Sequence, residues 1–174
     1  MQLRAASAGD FPALQPIYAL AVAQGLATFE EQPPSKEELR RRFDDITRQG
    51  FPYLVAEFGG EVAGYGYCTL YRTRSAYRFA LEDSVYVRQD IQGRGVGKTI
   101  LAELIRRCEE LRYRQLIAVI GDSANAASIG LHASVGFVRV GTLRSIGYKL
   151  GRWVDTVIMQ RPLGPGDGTP PAGG

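Results

Sequence analysis

The sequence predicts an α+β fold, a mixed α/β arrangement in which one twisted sheet of about seven strands carries helices on both faces. Three observations predict it. Stretches of alternating apolar residues and stretches with apolar residues three or four apart follow one another in the order β-α-α-β-β-β-α-β-α-β-β. The chain has 174 residues, enough for one core and too few for two ordinary ones. Hydrophobic residues make up 45% and charged residues 22%, the balance of a globular chain.

Leu3 to Ala6 reads as the first strand. Ser7 and Asp10 then offer N-cap oxygens to a helix with Leu14, Ile17, Tyr18 and Ala21 on one face and Gly25 as its stop. Ser35 followed by Glu38 is a capping-box pattern, and Leu39, Phe43 and Ile46 continue at helical spacing to Gly50. The segment between them, Thr28-Phe29-Glu30-Glu31-Gln32-Pro33-Pro34, is too proline-rich for a helix and forms a loop of the kind that carries specificity. Tyr53 to Phe58 and Val62 to Tyr71 flank Gly59-Gly60 as a β-hairpin, and a further strand runs from about Phe79 to Val87. From Gly95 to about Arg112, Val96, Ile100, Leu101, Leu104, Ile105 and Leu111 mark a long amphipathic helix. Leu116 to Ile120 is a buried type of strand, and Asn125 to Val135 is a short helix. The last two strands start at Phe137 and run from Arg152 to Met159. Residues 1–163 therefore read as a single domain, and the Gly/Pro-rich residues 164–174 as a flexible tail.

The net charge is +3, but basic and acidic residues are mixed, as in Glu37-Glu38-Leu39-Arg40-Arg41-Arg42-Phe43-Asp44-Asp45. A nucleic-acid surface needs a one-sided basic stripe with aromatics between, so no nucleic-acid partner is expected. Cys68 and Cys108 make neither a metal spacing nor a disulfide framework, which points to a reducing cytoplasm and no metal. Without an apolar leader or a bilayer-length apolar run, no membrane association is expected.

One strand-to-helix turn is glycine-rich: Val85-Tyr86-Val87-Arg88-Gln89-Asp90-Ile91-Gln92-Gly93-Arg94-Gly95-Val96-Gly97-Lys98-Thr99. Glycines let backbone N–H groups converge, and the helix that starts there adds its positive dipole end, an arrangement suited to a pyrophosphate. A P-loop would need glycine where Gln92 stands, and a dinucleotide fingerprint would need glycine where Lys98 stands. What fits is Q-x-x-G-x-G at Gln92, Gly95 and Gly97. Here the chain resembles the GCN5-related N-acetyltransferase (GNAT) superfamily, whose fold and acetyl-CoA binding the resemblance implies. A second signature lies downstream: Asn125 to Phe137 resembles the superfamily's N-x-x-S-x-x-L-[YH]-x-x-x-G-F segment. The resemblance places acetyl-CoA against Val85, Tyr86, Val87, Gln92, Gly93, Arg94, Gly95, Val96, Gly97, Lys98, Asn125 and Ser128, with Asn125 bonded to the pantetheine region.

Position 132 faces the cofactor sulfur in the superfamily and is more often tyrosine. His132, the one histidine in the chain, is there the proton donor to the leaving thiolate, a relay for the amine's proton, or a packed side chain. Strand alternation puts Glu82, Ser84 and Tyr86 on one face and Asp83, Val85 and Val87 on the other. The run Leu81 to Val87, with Tyr71 to Tyr77, is similar to the phosphinothricin acetyltransferase subfamily, which carries a glutamate at the place of Glu82. An ammonium is no nucleophile until it loses a proton, so Glu82 is the candidate base, directly or through water; on its own it would read as a surface ion pair. The resemblance implies that a backbone N–H from Val85-Tyr86-Val87 meets the oxyanion.

Arg72, Arg74 and Tyr77 precede the catalytic strand, and arginine forks suit carboxylate or phosphinate oxygens; they also suit a solvated loop or an interface. Phe29, Glu82 and Tyr86 complete the expected acceptor site. Gly141 to Asp155 resembles the subfamily's G-x-[LM]-x-x-x-G-x-K-x-G-x-W-x-D stretch, which extends the likeness over residues 2–163. The subfamily includes methionine sulfoximine and sulfone acetyltransferases. Glu30 stands where some relatives have arginine, so an anion near it is expected to be repelled. The expectation is therefore an acetyl-CoA-dependent N-acetyltransferase, homodimeric by analogy, acting on the α-amine of a small amino-acid-like molecule in a ternary complex. An aminoglycoside or protein N-terminus as acceptor, or a non-catalytic acetyl-CoA-binding regulatory module, remain the alternatives.

Overall fold

A computed structural model describes residues 1–171. In chain order the elements are β1 (Gln2–Ala5), α1 (Phe11–Gln24), α2 (Lys36–Arg48), β2 (Tyr53–Phe58), β3 (Glu61–Leu70), β4 (Ala80–Val87), α3 (Val96–Glu110), β5 (Gln115–Gly121), α4 (Ala126–Ala133), β6 (Val138–Lys149) and β7 (Arg152–Pro162). The order of elements is the expected one, with bounds shifted by up to three residues. Seven strands form one sheet in the order β1-β2-β3-β4-β5-β7-β6, parallel only between β4 and β5. Among the described residues no helix is long and apolar enough to cross a membrane.

Local chemistry accounts for these elements. Ser35 caps α2 by accepting the Glu38 N–H at 3.2 Å. Gly59 and Gly60 both take positive φ, 63° and 86°, which gives the tight hairpin between β2 and β3 the twist of its strands. Asp10 is the N-cap residue of α1 but makes no side-chain bond to that helix: its carboxylate closes a capping box on the preceding turn by accepting the Ser7 N–H at 2.7 Å, and takes both ends of the Arg4 guanidinium at 2.8 and 2.6 Å.

Odd and even residues of β3 face different layers. Tyr65 and Tyr67 join Tyr53 of β2 and Tyr86 of β4 in a row of stacked rings, and Tyr18 of α1 meets Tyr86 edge-on at 4.9 Å. On the other face a Cβ at Gly66 would strike Ile100 and Leu104 of α3, and Cys68 Sγ lies 3.5 Å from Cys108 Sγ of the same helix. The sheet is thus sandwiched, α1 and α2 in front and α3 behind, with Leu14, Val22, Leu54, Val55, Ile100, Leu101, Leu104 and Leu116 fully buried between. At roughly 1.5–3 kcal/mol per buried large apolar side chain, these layers supply the main favourable contribution to folding.

β4 and β5 stay together for only four residue pairs, Ala80↔Gln115 to Asp83↔Ala118. Beyond that point β4 keeps to β3 as far as Val87↔Gly64, and β5 keeps to β7 as far as Gly121↔Thr156. A V-shaped cleft opens between them.

The β6–β7 hairpin meets the loop after α1, whose Thr28 and Phe29 border this cleft. Leu150 and Gly151 turn it with φ of 49° and 76°. Asp155 accepts the Ser145 N–H at 2.8 Å and the Ser123 hydroxyl at 2.7 Å, which holds a bulge of β6 against the loop before α4. Lys149, only 3% exposed, donates to Gly25 O at 2.8 Å and to Thr28 O at 2.7 Å. It thereby ties the loop after α1 to the far side of the sheet. Burial pushes its ammonium pKa down, and Glu30 and Glu31 oppose that.

Residues 164–174 were expected to be a flexible tail. Residues 164–167 form a turn, and Arg114 donates to Gly166 O at 3.1 Å and to Pro170 O at 3.0 Å; residues 172–174 lie outside the described residues. Lys149→Met, which keeps the stem and removes the donor, should destabilise the chain by roughly 2 kcal/mol in urea unfolding, since two buried carbonyls lose a charged partner. Hydrogen exchange should show lost protection confined to the loop after α1, with the sheet core unchanged.

Candidate active site

The glycine-rich turn forms as the sequence requires. β4 ends at Val87, a short 3-10 turn spans Gln89–Ile91, and Gly93 and Gly95 take φ of 78° and 82°, conformations that favour glycine. Gly95 is the N-cap of α3 and no side chain caps that helix, so its first N–H groups are open to a ligand. Buried Val96 anchors the helix start, while Gln92, Gly93, Arg94, Gly95 and Lys98 lie exposed around the open end. An uncapped N-terminus with exposed Arg94 and Lys98 fits the pyrophosphate of acetyl-CoA. Gln92 turns its amide toward Val87 O at 3.4 Å, bracing the turn.

Next to this cradle the cleft exposes backbone donors. Arg88 N–H donates to Ala63 O and Tyr71 N–H to Ala80 O, which sets the antiparallel alternation along β4. Tyr86 N–H is accordingly committed to β3, whereas Val85 and Val87 point theirs the other way, where β5 has already diverged. Of the three candidates for an oxyanion donor, Val85 and Val87 qualify and Tyr86 does not.

The two walls of the cleft differ. On the α1/α2 side stand Glu82, Ser84 and Tyr86, as strand alternation predicts, with Thr28 and Phe29 of the loop above them. On the α3/α4 side are Asp83, Val85, Ser128 and His132. Phe29, 39% exposed, lies against β6: a Cβ on Gly147 would come 2.1 Å from its ring, so only glycine leaves room for it there. Burial pushes the Glu82 carboxyl above its ordinary value; the Arg72 charge lowers it and the Asp83 charge adds to the rise. Glu82 therefore holds a proton more readily than a surface glutamate.

Several expected residues sit differently. Arg72, Arg74 and Tyr77 are exposed and line no wall of the cleft; Arg72 lies over the Tyr71 ring at 4.2 Å and acts on Glu82 through its charge alone. Glu30 is not a free negative charge, because Arg42 donates to it at 2.5 Å and the Tyr18 hydroxyl at 2.8 Å. Asn125 caps α4, accepting the Ser128 N–H at 3.1 Å, while its amide reaches Gly121 O at 3.4 Å. One amide hydrogen remains for a ligand.

His132 is buried rather than presented to solvent. Its Nδ1 lies 2.7 Å from Ser128 O and its Nε2 3.0 Å from Asp83 Oδ2, with the Phe137 ring edge-on at 5.1 Å. Burial lowers its pKa, but the hydrogen bond and charge of Asp83, with the Ser128 carbonyl, outweigh that and raise it overall. Sequence reasoning missed Asp83 as part of the site, and Lys149 and Gly147 as supports of the loop beside it. The last two stand in the quoted G-x-K-x-G stretch, and Asp83 had only its strand face to mark it.

A profile of the "Acetyltransferase (GNAT) family" matches residues 15–137. A phosphinothricin N-acetyltransferase of Alcaligenes faecalis is 57% identical over 162 residues, 93% of this chain and 82% of that one. An L-methionine sulfoximine/L-methionine sulfone acetyltransferase of Pseudomonas aeruginosa is 40% identical over 164 residues, 94% of this chain and 95% of that one. Among solved structures, a GNAT superfamily phosphinothricin acetyltransferase from Sinorhizobium meliloti in complex with AcCoA superposes with a TM-score of 0.96 at 47% identity, covering 99% of this chain and 94% of that one.

Proposed function

The chain belongs to the acetyltransferase (GNAT) family, and from that premise we propose that it acetylates the α-amine of a small amino-acid-like molecule of the phosphinothricin, methionine sulfoximine or methionine sulfone type, with acetyl-CoA as donor. The observation that carries this reading is the fork between β4 and β5: a half-buried carboxylate with a raised pKa on one wall, free backbone donors at its edge, and a histidine on the other. Relatives named for phosphinothricin and for methionine sulfoximine support the choice of acceptor. The pairing of Glu30 with Arg42 removes the objection to an anionic side chain such as a phosphinate.

Bound acetyl-CoA supplies the activated acetyl thioester. Gly93 to Lys98 would hold its phosphates at the open end of α3, and the free edge of β4 with Asn125 would hold its pantetheine arm. Glu82 accepts the ammonium proton, directly or through one water, and its raised pKa brings it nearer the working pH of a general base. The N–H groups of Val85 and Val87 face the place where negative charge gathers on the carbonyl oxygen. His132, on the other wall, meets the departing thiolate with positive charge. Phe29, lying against Gly147, packs over the acceptor side chain.

The chain acts as a homodimer in the cytoplasm. The edge strand β6 exposes Val138, Val140, Leu143, Ile146 and Tyr148, with Trp153 of β7 beside them at 64% exposure. An apolar sheet edge of that length favours a partner, and a second copy is the one this reading assigns. Cys68 and Cys108 are both free thiols, the state a reducing compartment maintains.

Thiol release from acetyl-CoA is the direct assay. Turnover is expected with phosphinothricin, methionine sulfoximine or methionine sulfone, and Glu82→Gln should lower kcat roughly 10²–10⁴-fold; turnover on none of the three would overturn the acceptor assignment. Activity should fall as pH drops through a midpoint above the ordinary glutamate value of 4.5. The same variant should be more stable than the parent near neutral pH. A raised folded-state pKa means that ionised Glu82 penalises the folded chain above that pKa, and the gap should close as pH falls toward 4.5. Ile146→Glu combined with Trp153→Arg should halve the mass seen by sedimentation while leaving the fold intact.

A further inference from the structure

The mechanism above uses His132 but leaves its neighbour Asp83 without a role, although the Asp83 side chain is 1% exposed. The two ring nitrogens of His132 each face an acceptor. Ser128 O can only accept, so the proton on the Nδ1 side belongs to the ring. A neutral imidazole would then have only a lone pair at Nε2, aimed at the Asp83 carboxylate 3.0 Å away. Two lone pairs do not hold together at that distance, so a second proton lies between Nε2 and Oδ2.

We propose that Asp83 is a positioning residue that keeps His132 doubly protonated, so that the ring enters acetyl transfer as a fixed cation beside the departing thiolate and never as a base. This rests on the acetyl-transfer reading of the cleft. The groups packed around the pair leave that second proton with the ring. Cys68 stands opposite Asp83 in the β3–β4 register, and α3 contributes Cys108 behind it, so both elements bring cysteine side chains there. β5 contributes Ala118, α4 the Ser128 carbonyl, and Phe137 an aromatic edge. Glu82, the nearest other carboxylate, lies on the opposite face of β4. Among the described residues only His132 bonds the Asp83 carboxylate, whose Oδ1 has no donor at all. A carboxylate buried this way needs a charged partner, and the imidazolium is the one within reach. Transferring the second proton to Asp83 would leave the neutral ring without charge at the one place where the cleft develops it.

His132 is the only histidine in the sequence, so its Cε1–H resonance gives one unambiguous titration. In the parent it should titrate above the ordinary value of 6.5. In Asp83→Asn it should titrate below 6.5, because burial remains and the counter-charge is gone. The kcat of Asp83→Asn should fall roughly tenfold or more with KM for both substrates little changed, and Asp83→Glu should restore part of it. A parent ring that titrates below the ordinary value overturns the proposal whether or not the variants fold, as does an Asp83→Asn titration that does not move. A displaced titration with unchanged kcat overturns the catalytic part alone. Absence of acetyl transfer by the parent itself would instead strike the functional reading, while the titration would still decide the state of the pair.

Discussion

Everything at the site depends on β4 and β5 parting after Asp83. Each strand remains bonded to its outer neighbour, β4 to β3 and β5 to β7, so the break costs hydrogen bonds only along the two inner edges. Those unspent edges are the chemistry of the cleft. Had the strands run on as a pair, the N–H groups of Val85 and Val87 would be consumed by the sheet. The carboxylate of Glu82 would then face the front layer with no opening behind it. The fork is also wedged: Asp83, the last paired residue of β4, reaches α4 through His132, so the helix that borders the cleft is bonded to the point where it opens.

Much of this was legible in the chain because it rests on local rules. The period of two in β4 separated Glu82, Ser84 and Tyr86 from Asp83, Val85 and Val87, and the structure keeps that division. The glycines of the turn announced the open helix end, and Ser35 with Glu38 announced the start of α2. What stayed hidden were pairings between distant residues. Asp83 meets a partner 49 positions away, and Lys149 bonds carbonyls 124 and 121 positions away. Glu30 read as an open negative charge because Arg42 reaches it from another element. Arg72 and Arg74 were placed at the acceptor by their position just ahead of β4 and their fork chemistry, and both are exposed and off the cleft lining.

The closing stretch of the chain shows how a motif can accompany a function without touching the reaction. Lys149 holds the loop after α1, Gly151 turns the hairpin, and Asp155 pins the bulge of β6 to the approach of α4. None of these three residues lines the cleft. Lys149 holds the β6–β7 arm to the loop after α1, while Asp155 holds it to the loop before α4. Positioning is achieved there by ordinary hydrogen bonds, while the reacting groups come from the centre of the sheet.

The contact between Phe29 and Gly147 has a consequence for how the binding wall can diversify. Two positions far apart in the gene share one small volume, so they are not free to vary independently. A larger residue at 147 evicts the ring at 29, whereas a smaller residue at 29 leaves 147 unconstrained. Changes of substrate preference therefore have an allowed order: position 29 must shrink first, and only then does 147 become mutable. The glycine works as a ratchet: with a larger side chain at 147, a phenylalanine restored at 29 alone would find its space taken.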